Sequence, residues 1–548
     1  MMVEEGVSFA ETHTFIMRIA SLLFAIYYIH TSAFPQDLGD RHVVLQEISI
    51  PGIPGVQSFA WGQQDQEWLL LGGRTEGLHQ RQPFAAFSAS GNNTMAHVVD
   101  PYTEEVWSRS ISSLPTAIYE QLQCTNMEFF QRGNTLYIIG GYGYSPTATD
   151  HITHSKLTAV DVPGAIEAIK NGTTLTPHFR QLSDSRLAVT GGYLGYLNDE
   201  FYLVGGQRFM GRYNPMGPDF GPGFIQEYTN AIRRFRIDDD GTSLAITDYT
   251  ATVDTAELHR RDYNLVSQIF PDGSQGFTAF SGVFQYTSNI PWLNTVDITP
   301  SGYTVVPVFE QLLNQYHTAH LPVHSATSNT MSTVFFGGIG RYYFDGNGQL
   351  WDDVNVPFVN TISRVVRSGD GSMLETAIGS MPALLGSSAE FITAPDVPTS
   401  FNDVIDLDAL EGDTVLAGHI VGGIESSAPN IFFINTGTQS EASTRVFKVL
   451  LVRDMNTGVG GAKETTNTLQ VAMSGSGEQL IVTLSLTRGT EGSLNLLDSS
   501  GRLVRTLLKA RMPAGSQKLH NDVRDLPQGS YLLEWTTNEG RSVARFVR

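Results

Sequence analysis

An apolar run closed by two glycines recurs along the chain. It reads WLLLGG at 68–73, LYIIGG at 136–141, FYLVGG at 201–206, TVFFGG at 333–338 and HIVGG at 419–423, with a degenerate copy, FTAFSG, at 277–282. Runs this short and this apolar read as strands buried on both faces, and the glycines supply backbone angles that other residues resist. A further strand is predicted after each pair, in AHVVDPYTEEVW, KLTAVDV, NAIRRFRIDDDG, LNTVDITPSG, NTISRVVRSGDG and NIFFINTGT, and another before it. The second glycines fall at 73, 141, 206, 282, 338 and 423. Such a recurrence predicts a repeated β-unit in which each copy buries its faces against its neighbours.

Past a Gly-rich stretch, RDMNTGVGGAKETTNT (453–468), the pattern changes. EQLIVTLSL, GSLNLLDSSGRLVRTLL, QKLHNDVRDLPQGSYLLEW and GRSVARFVR alternate with period two between turns at DSSG, PQG and NEG, which predicts a small antiparallel sandwich. At the other end, MRIASLLFAIYYIHTSAFPQD (17–37) places Arg18 before an apolar run and Thr31-Ser32-Ala33 after it. That is the order of a signal peptide, and the run is too short to cross a bilayer. The sixteen residues before it carry three Glu and no Lys or Arg, so Met17 is the expected start. The predicted organisation is a signal peptide (1–33), a repeat domain (34–455), a linker (456–467) and a C-terminal sandwich (468–548). No transmembrane anchor is expected in the mature chain.

The repeats resemble the kelch family, whose signature is a hydrophobic strand, Gly-Gly and a later strand of the type carried here by Asp100, Pro101, Thr103 and Trp107. The resemblance covers about 45–455. It implies an all-β fold, a six-bladed kelch-type β-propeller of four-stranded blades around a channel, followed by the sandwich. It implies little about function, since kelch propellers include binding modules, a copper oxidase and sugar isomerases. The oxidase cofactor needs a Cys beside a copper-ligand Tyr, and Cys124 stands in no such motif. The segment 468–548 closely resembles the type A C-terminal sorting domain of the type IX secretion system, through DSSGRLV (498–504), LPQGSYLLEW (526–535) and the terminal RFVR (545–548). That resemblance implies the type IX secretion machinery as a partner. It also implies export across the outer membrane, removal of the domain, and release or attachment at the cell surface.

Composition agrees with a turn-rich β-protein: 54 Gly and 10% aromatic residues against 16% charged. A formal charge of −21 excludes nucleic acid as an expected partner, because phosphate-binding surfaces are basic. The single cysteine excludes an internal disulfide and reads as a small buried side chain.

Candidate chemistry gathers in HRRDYN (259–264), just before the innermost strand of the fourth repeat, and in YHTAHLPVH (316–324) at the same place in the fifth. In a propeller these starts share one face with the loops that follow the glycine pairs. His259, Arg260, Arg261, Asp262, Tyr263, Asn264, Tyr316, His317 and His320 are therefore expected around the channel mouth. Tyr213, with Phe220 and Phe224, stands in the long loop 207–230. Tyr343 and Trp351 stand in the loop 340–358, and loops of such length are usually functional. Aromatic faces and guanidinium forks suit a sugar ring, an anionic glycan or a protein ligand.

A secreted or cell-surface binding protein is therefore expected. The alternative is a carbohydrate-active enzyme (mutarotase, lyase or hydrolase), with Asp262 or His259 as acid/base and Arg260 and Arg261 as a carboxylate clamp. Adjacent strand residues face opposite ways, and Arg261 is the one expected to be structural. No metal or other cofactor is expected. Strand alternation would split His317 from His320. The calcium-like spacing of Asp345, Asn347, Gln349 and Asp353 lacks the glycine and glutamate of a calcium loop.

Overall fold

The computed structural model describes residues 38–345, 348–453 and, within 468–547, all but 474–478, 487–488, 499–501, 514, 528–529 and 538–539. The predicted signal peptide, the start at Met17 and the linker lie outside the described residues.

Residues 41–453 fold as successive four-stranded antiparallel meanders. The first joins Ala60–Gln64, Glu67–Leu71, Met95–Asp100 and Glu105–Ser110. The second joins Thr125–Arg132, Thr135–Ser145, Lys156–Asp161 and Phe179–Ser183. The third joins Thr190–Leu197, Glu200–Met210, Ala231–Asp239 and Leu244–Val253. The fourth joins Asn264–Ile269, Gln275–Phe280, Thr295–Thr299 and Gly302–Val306. The fifth joins His320–Ser325, Thr330–Ile339, Phe358–Arg367 and Met373–Ser380. The sixth joins Leu384–Thr393, Thr414–Ser426 and Val446–Arg453, and its outermost strand is the N-terminal Arg41–Ile48. The first strand of every meander contributes to the wall of one central cavity. The fold is β-propeller-like.

Closure by the N-terminal strand ties the two ends of the repeat domain together. Arg41 is 1% exposed and donates to the carbonyls of Leu410 (3.1 Å), Gly412 (2.8 Å) and Leu451 (3.3 Å), so the strand is anchored by a side chain as well as by its ladder.

In five of the meanders the second glycine position fastens one meander to the next. Gly73 N donates to Cys124 O (2.7 Å), Gly141 N to Val189 O (2.9 Å), Gly206 N to Arg260 O (2.8 Å) and Gly282 N to Gln315 O (3.3 Å). Gly423 N donates to Val56 O (2.9 Å), which fastens the last meander to the first. The backbones approach too closely for side chains. A Cβ on Gly140 would lie 1.9 Å from Val189 O, and one on Gly422 would lie 2.4 Å from Val56 O, both at positive φ.

One predicted strand is absent, and two short helices stand between strands. Residues 430–438, NIFFINTGT, form no strand; Val446–Arg453 takes that place instead. Asn435 Nδ2 donates to Leu78 O (2.7 Å) and His79 O (2.9 Å), so this segment is held as a loop against the first meander. Two helices, Thr116–Leu122 and Val162–Asn171, interrupt the strands; the second carries Pro163 in its first turn and is capped by Gly172 in the left-handed region.

The C-terminal residues form two antiparallel sheets. One pairs Thr468–Met473, Gln479–Leu486 and Gly515–Asp522; the other pairs Leu503–Met512, Thr490–Asp498, Ser530–Thr537 and Gly540–Val547. They share a core that includes Val482, Leu484, Leu496, Leu533 and Trp535. Among the described residues no helix is long and apolar enough to cross a membrane.

Candidate functional site

Just before the innermost strands, the meanders form a constriction made of backbone. Asn126 N donates to Ser58 O (3.2 Å), Ser58 N to Ser388 O (3.1 Å) and Ser388 N to His317 O (2.9 Å). His317 N donates to Asp262 O (3.1 Å), Asp262 N to Gly191 O (2.8 Å), and the Thr190 hydroxyl to Asn126 O (3.0 Å), completing the circuit. Ser58, Asn126, Asp262 and Ser388 all take positive φ, from 46° to 56°, a conformation that short polar side chains tolerate best. The equivalent positions of the first, second, third and sixth meanders carry Ser, Asn, Gly and Ser; the neighbouring fourth and fifth carry Asp262, also at positive φ, and His317, which is not.

Above this neck lies a cup of about 740 Å³, and below it a chamber of about 540 Å³; Ser58, Asn126, Gly191, Asp262 and His317 line both. The cup is walled by the loops that follow the glycine pairs. Tyr142, Phe209, Tyr213, Phe224, Tyr228, Phe284, Tyr316 and Phe432 present rings to it, and its lining contains three arginines against one aspartate, on a chain of net charge −21.

Arg261 is the polar centre of the cup. Its Nε donates to the Tyr228 hydroxyl at 3.0 Å, its Nη1 pairs with Asp262, and the guanidinium lies 5.1 Å from the Phe284 ring centroid. Asp262 also accepts from Asn126 Nδ2 at 3.2 Å. His259 is sandwiched between Tyr228 (3.7 Å) and Tyr286 (3.8 Å), with Nδ1 against Asn230 Oδ1 at 2.8 Å. Burial, reinforced by the Arg261 charge, lowers its pKa to about 4, so the ring is neutral at pH 7.

The HRRDYN motif divides between site and scaffold. His259, Arg261 and Asp262 line the cup, with Tyr316, His317 and Tyr213. Arg260 does not. It is 1% exposed, and its Nη1 donates to Ser281 O (2.5 Å) and Asn294 O (2.9 Å), Nη2 to Asn294 Oδ1 (2.8 Å) and Nε to Glu257 O (2.7 Å). The two arginines thus divide the roles opposite to expectation: Arg260 is structural and Arg261 faces the cup. Tyr263 is fully buried, with its hydroxyl donating to Val204 O (2.8 Å). Asn264 clamps the fourth meander to the fifth, donating to Tyr316 O (3.0 Å) and accepting from Thr318 N (3.0 Å).

Tyr343 and Trp351 face each other on a two-stranded hairpin that borders neither cavity. His317 and His320 both reach the chamber, because His317 precedes the strand and alternation does not apply to it. Among the described residues no group of three His, Cys, Asp or Glu is arranged to hold a metal.

Several lining residues gave no sequence signal. Arg81 lies over Phe432 (5.4 Å) and Phe433 (5.2 Å) and donates to Pro215 O (2.6 Å), an encounter of three loops distant in sequence. His79 packs among Phe87, Tyr213 and Phe432, and burial lowers its pKa to about 4. Phe432 and Phe433 were read as strand residues, and only the missing strand releases them to the rim.

No family model matches the chain, and no curated protein matches it. Among solved structures, 140 chains match. One, titled "Structure of YjhT", has a TM-score of 0.40 and 10% sequence identity, covering 74% of this chain and 100% of that one, a likeness too distant to bear on activity.

Proposed function

We propose that this chain is a six-bladed kelch-type propeller, exported by type IX secretion through its C-terminal domain, which binds a glycan or protein ligand at the cell surface or outside the cell. The observation that carries the binding reading is the break in the symmetry of the neck. Where equivalent positions carry Ser, Asn or Gly, the fourth and fifth meanders carry Asp262 and His317, directly beneath Arg261 and a wall of aromatic rings. A guanidinium held between a carboxylate and a phenol can exchange partners for an acidic or hydroxyl-rich ligand, and the rings supply flat faces for it. Stacking accounts for much of the affinity of such a cup and the arginine for its selectivity.

Binding is favoured over catalysis by the state of the acid/base candidates. His259 has a pKa near 4 and lies between two rings, Asp262 is engaged by Arg261 and Asn126, and Arg260 is spent on the scaffold. Carbohydrate turnover stays the alternative.

The test is an array of acidic and neutral oligosaccharides probed with the wild type and Arg261→Ala, beside a reducing-sugar assay. Retention of acidic members that disappears in the variant is the expected result. Equal retention by both proteins would move the site away from the cup, and release of reducing ends would favour the enzyme. For export, deletion of 468–548 should leave the protein in the periplasm; its appearance in the medium would refute the sorting assignment.

A further inference from the structure

The chamber beneath the neck differs in chemistry from the cup. Its lining includes Glu128, Asp262, Glu390 and Asp403 and no lysine or arginine. Two of these carboxylates are already engaged: Asp262 by Arg261, and Glu390 by His317 Nε2 (3.2 Å) and Trp61 Nε1 (3.4 Å). The Asp403 carboxylate makes no side-chain hydrogen bond or ion pair among the described residues, and its charge acts on His320 and Tyr193 of the same lining. It follows Asn402, which donates to Tyr196 O at 3.1 Å and so holds this segment across the lower end of the chamber. Glu128 is 2% exposed; its Oε1 accepts from Gly192 N (2.8 Å), whereas its Oε2 is buried without a partner. The Tyr193 hydroxyl is also buried without a partner. Trp61, Phe129 and Tyr193 add aromatic surface to the same space.

We infer that the chamber is a second binding site, specific for an organic ammonium group, with Asp403 and Glu390 as its anionic partners and Trp61, Phe129 and Tyr193 as its aromatic wall. Buried polar groups without partners cost free energy that a multi-donor ligand recovers through the Tyr193 hydroxyl and the Glu128 carboxyl, and an ammonium gains further from the Asp403 and Glu390 charges and from ring faces. The carboxylates are spread around a chamber of about 540 Å³ and are not gathered in threes, which suits an alkylammonium better than a metal ion.

Calorimetric titration of the full-length protein with n-butylammonium chloride tests this, against 1-butanol and against potassium chloride at equal ionic strength. Saturable binding of the ammonium alone is expected, weakened at least tenfold in Asp403→Asn and in Glu390→Gln. The Asp403 carboxylate has no hydrogen bond or close ion pair to lose, so Asp403→Asn should melt within about 2 °C of the wild type. Equal binding of the alcohol, no saturable binding by the wild type, or unchanged affinity in a folded Asp403→Asn variant would each overturn the assignment.

Discussion

Replacing Arg260 with alanine should destabilise the fold far more than the same change at the adjacent Arg261. Five hydrogen bonds leave Arg260, to Ser281 O, Asn294 O, Asn294 Oδ1, Glu257 O and, at 3.5 Å, the Glu257 carboxylate, and its guanidinium lies 5.0 Å from the Trp292 ring centroid. Each bond contributes about 1 kcal/mol net, and its loss strands a shielded acceptor. Relief of the charge's desolvation, seen in a pKa lowered to about 10 by burial, offsets part of the loss. The net expectation is a loss of about 3–5 kcal/mol, as for breaking other buried charged networks. Arg261→Ala removes one bond to Tyr228 and a largely shielded ion pair, whose carboxylate keeps its bond from Asn126, a loss of about 2 kcal/mol. Urea unfolding of the two single variants beside the wild type, followed by tryptophan fluorescence, reads the difference from the midpoints. Arg260→Lys keeps the charge but not the fork and should fall between. An Arg260→Ala variant within about 1 kcal/mol of wild type would refute the division between scaffold and site.

Stability should fall as pH rises from 6.5 to 8. Burial raises Glu128 and Glu375 to about 8, so the folded state keeps protons that the unfolded state has released, and each should contribute a loss of roughly 1–2 kcal/mol across that window. Glu128→Gln should flatten the slope, and an unchanged slope would contradict it. Below pH 6.5, His79, His97, His154, His259 and His419, all lowered to about 4 by burial, act in the opposite sense and make acid destabilising. Removing residues 38–50 should expose the edge of Val446–Arg453 and abolish cooperative melting of the repeat domain; unchanged melting would mean that the N-terminal strand does not close the sixth meander. Gly140→Ala should cost about 3 kcal/mol or more in a denaturation curve, since its Cβ would meet Val189 O in a left-handed backbone.

The strand repeats were legible because a glycine pair at a close backbone crossing leaves a local trace, and LYIIGG says as much alone as in the fold. The polar motif before the fourth innermost strand was legible as well, but its division was not. Arg260 and Arg261 are chemically identical, and the side each takes is set by Asp262 at φ 46° and by where Asn294 and Tyr228 arrive from. NIFFINTGT has strand composition, and tertiary hydrogen bonds from Asn435 overrule it. The neck circuit is invisible in the sequence, because its members are joined by backbone hydrogen bonds and share no common residue. Glu128, inside the apolar run of NMEFF, gave no sign that its carboxylate would line a chamber.

The most direct test of a ligand held by the cup is the affinity of the wild type, Arg261→Lys and Arg261→Ala for one oligosaccharide retained on the array, measured by calorimetry on proteins shown to melt comparably. Loss of a charge-assisted hydrogen-bonding fork predicts a decrease of roughly 10- to 100-fold for alanine, with lysine recovering part of it. An Arg261→Ala affinity within twofold of wild type would contradict the assignment of the cup as the binding site.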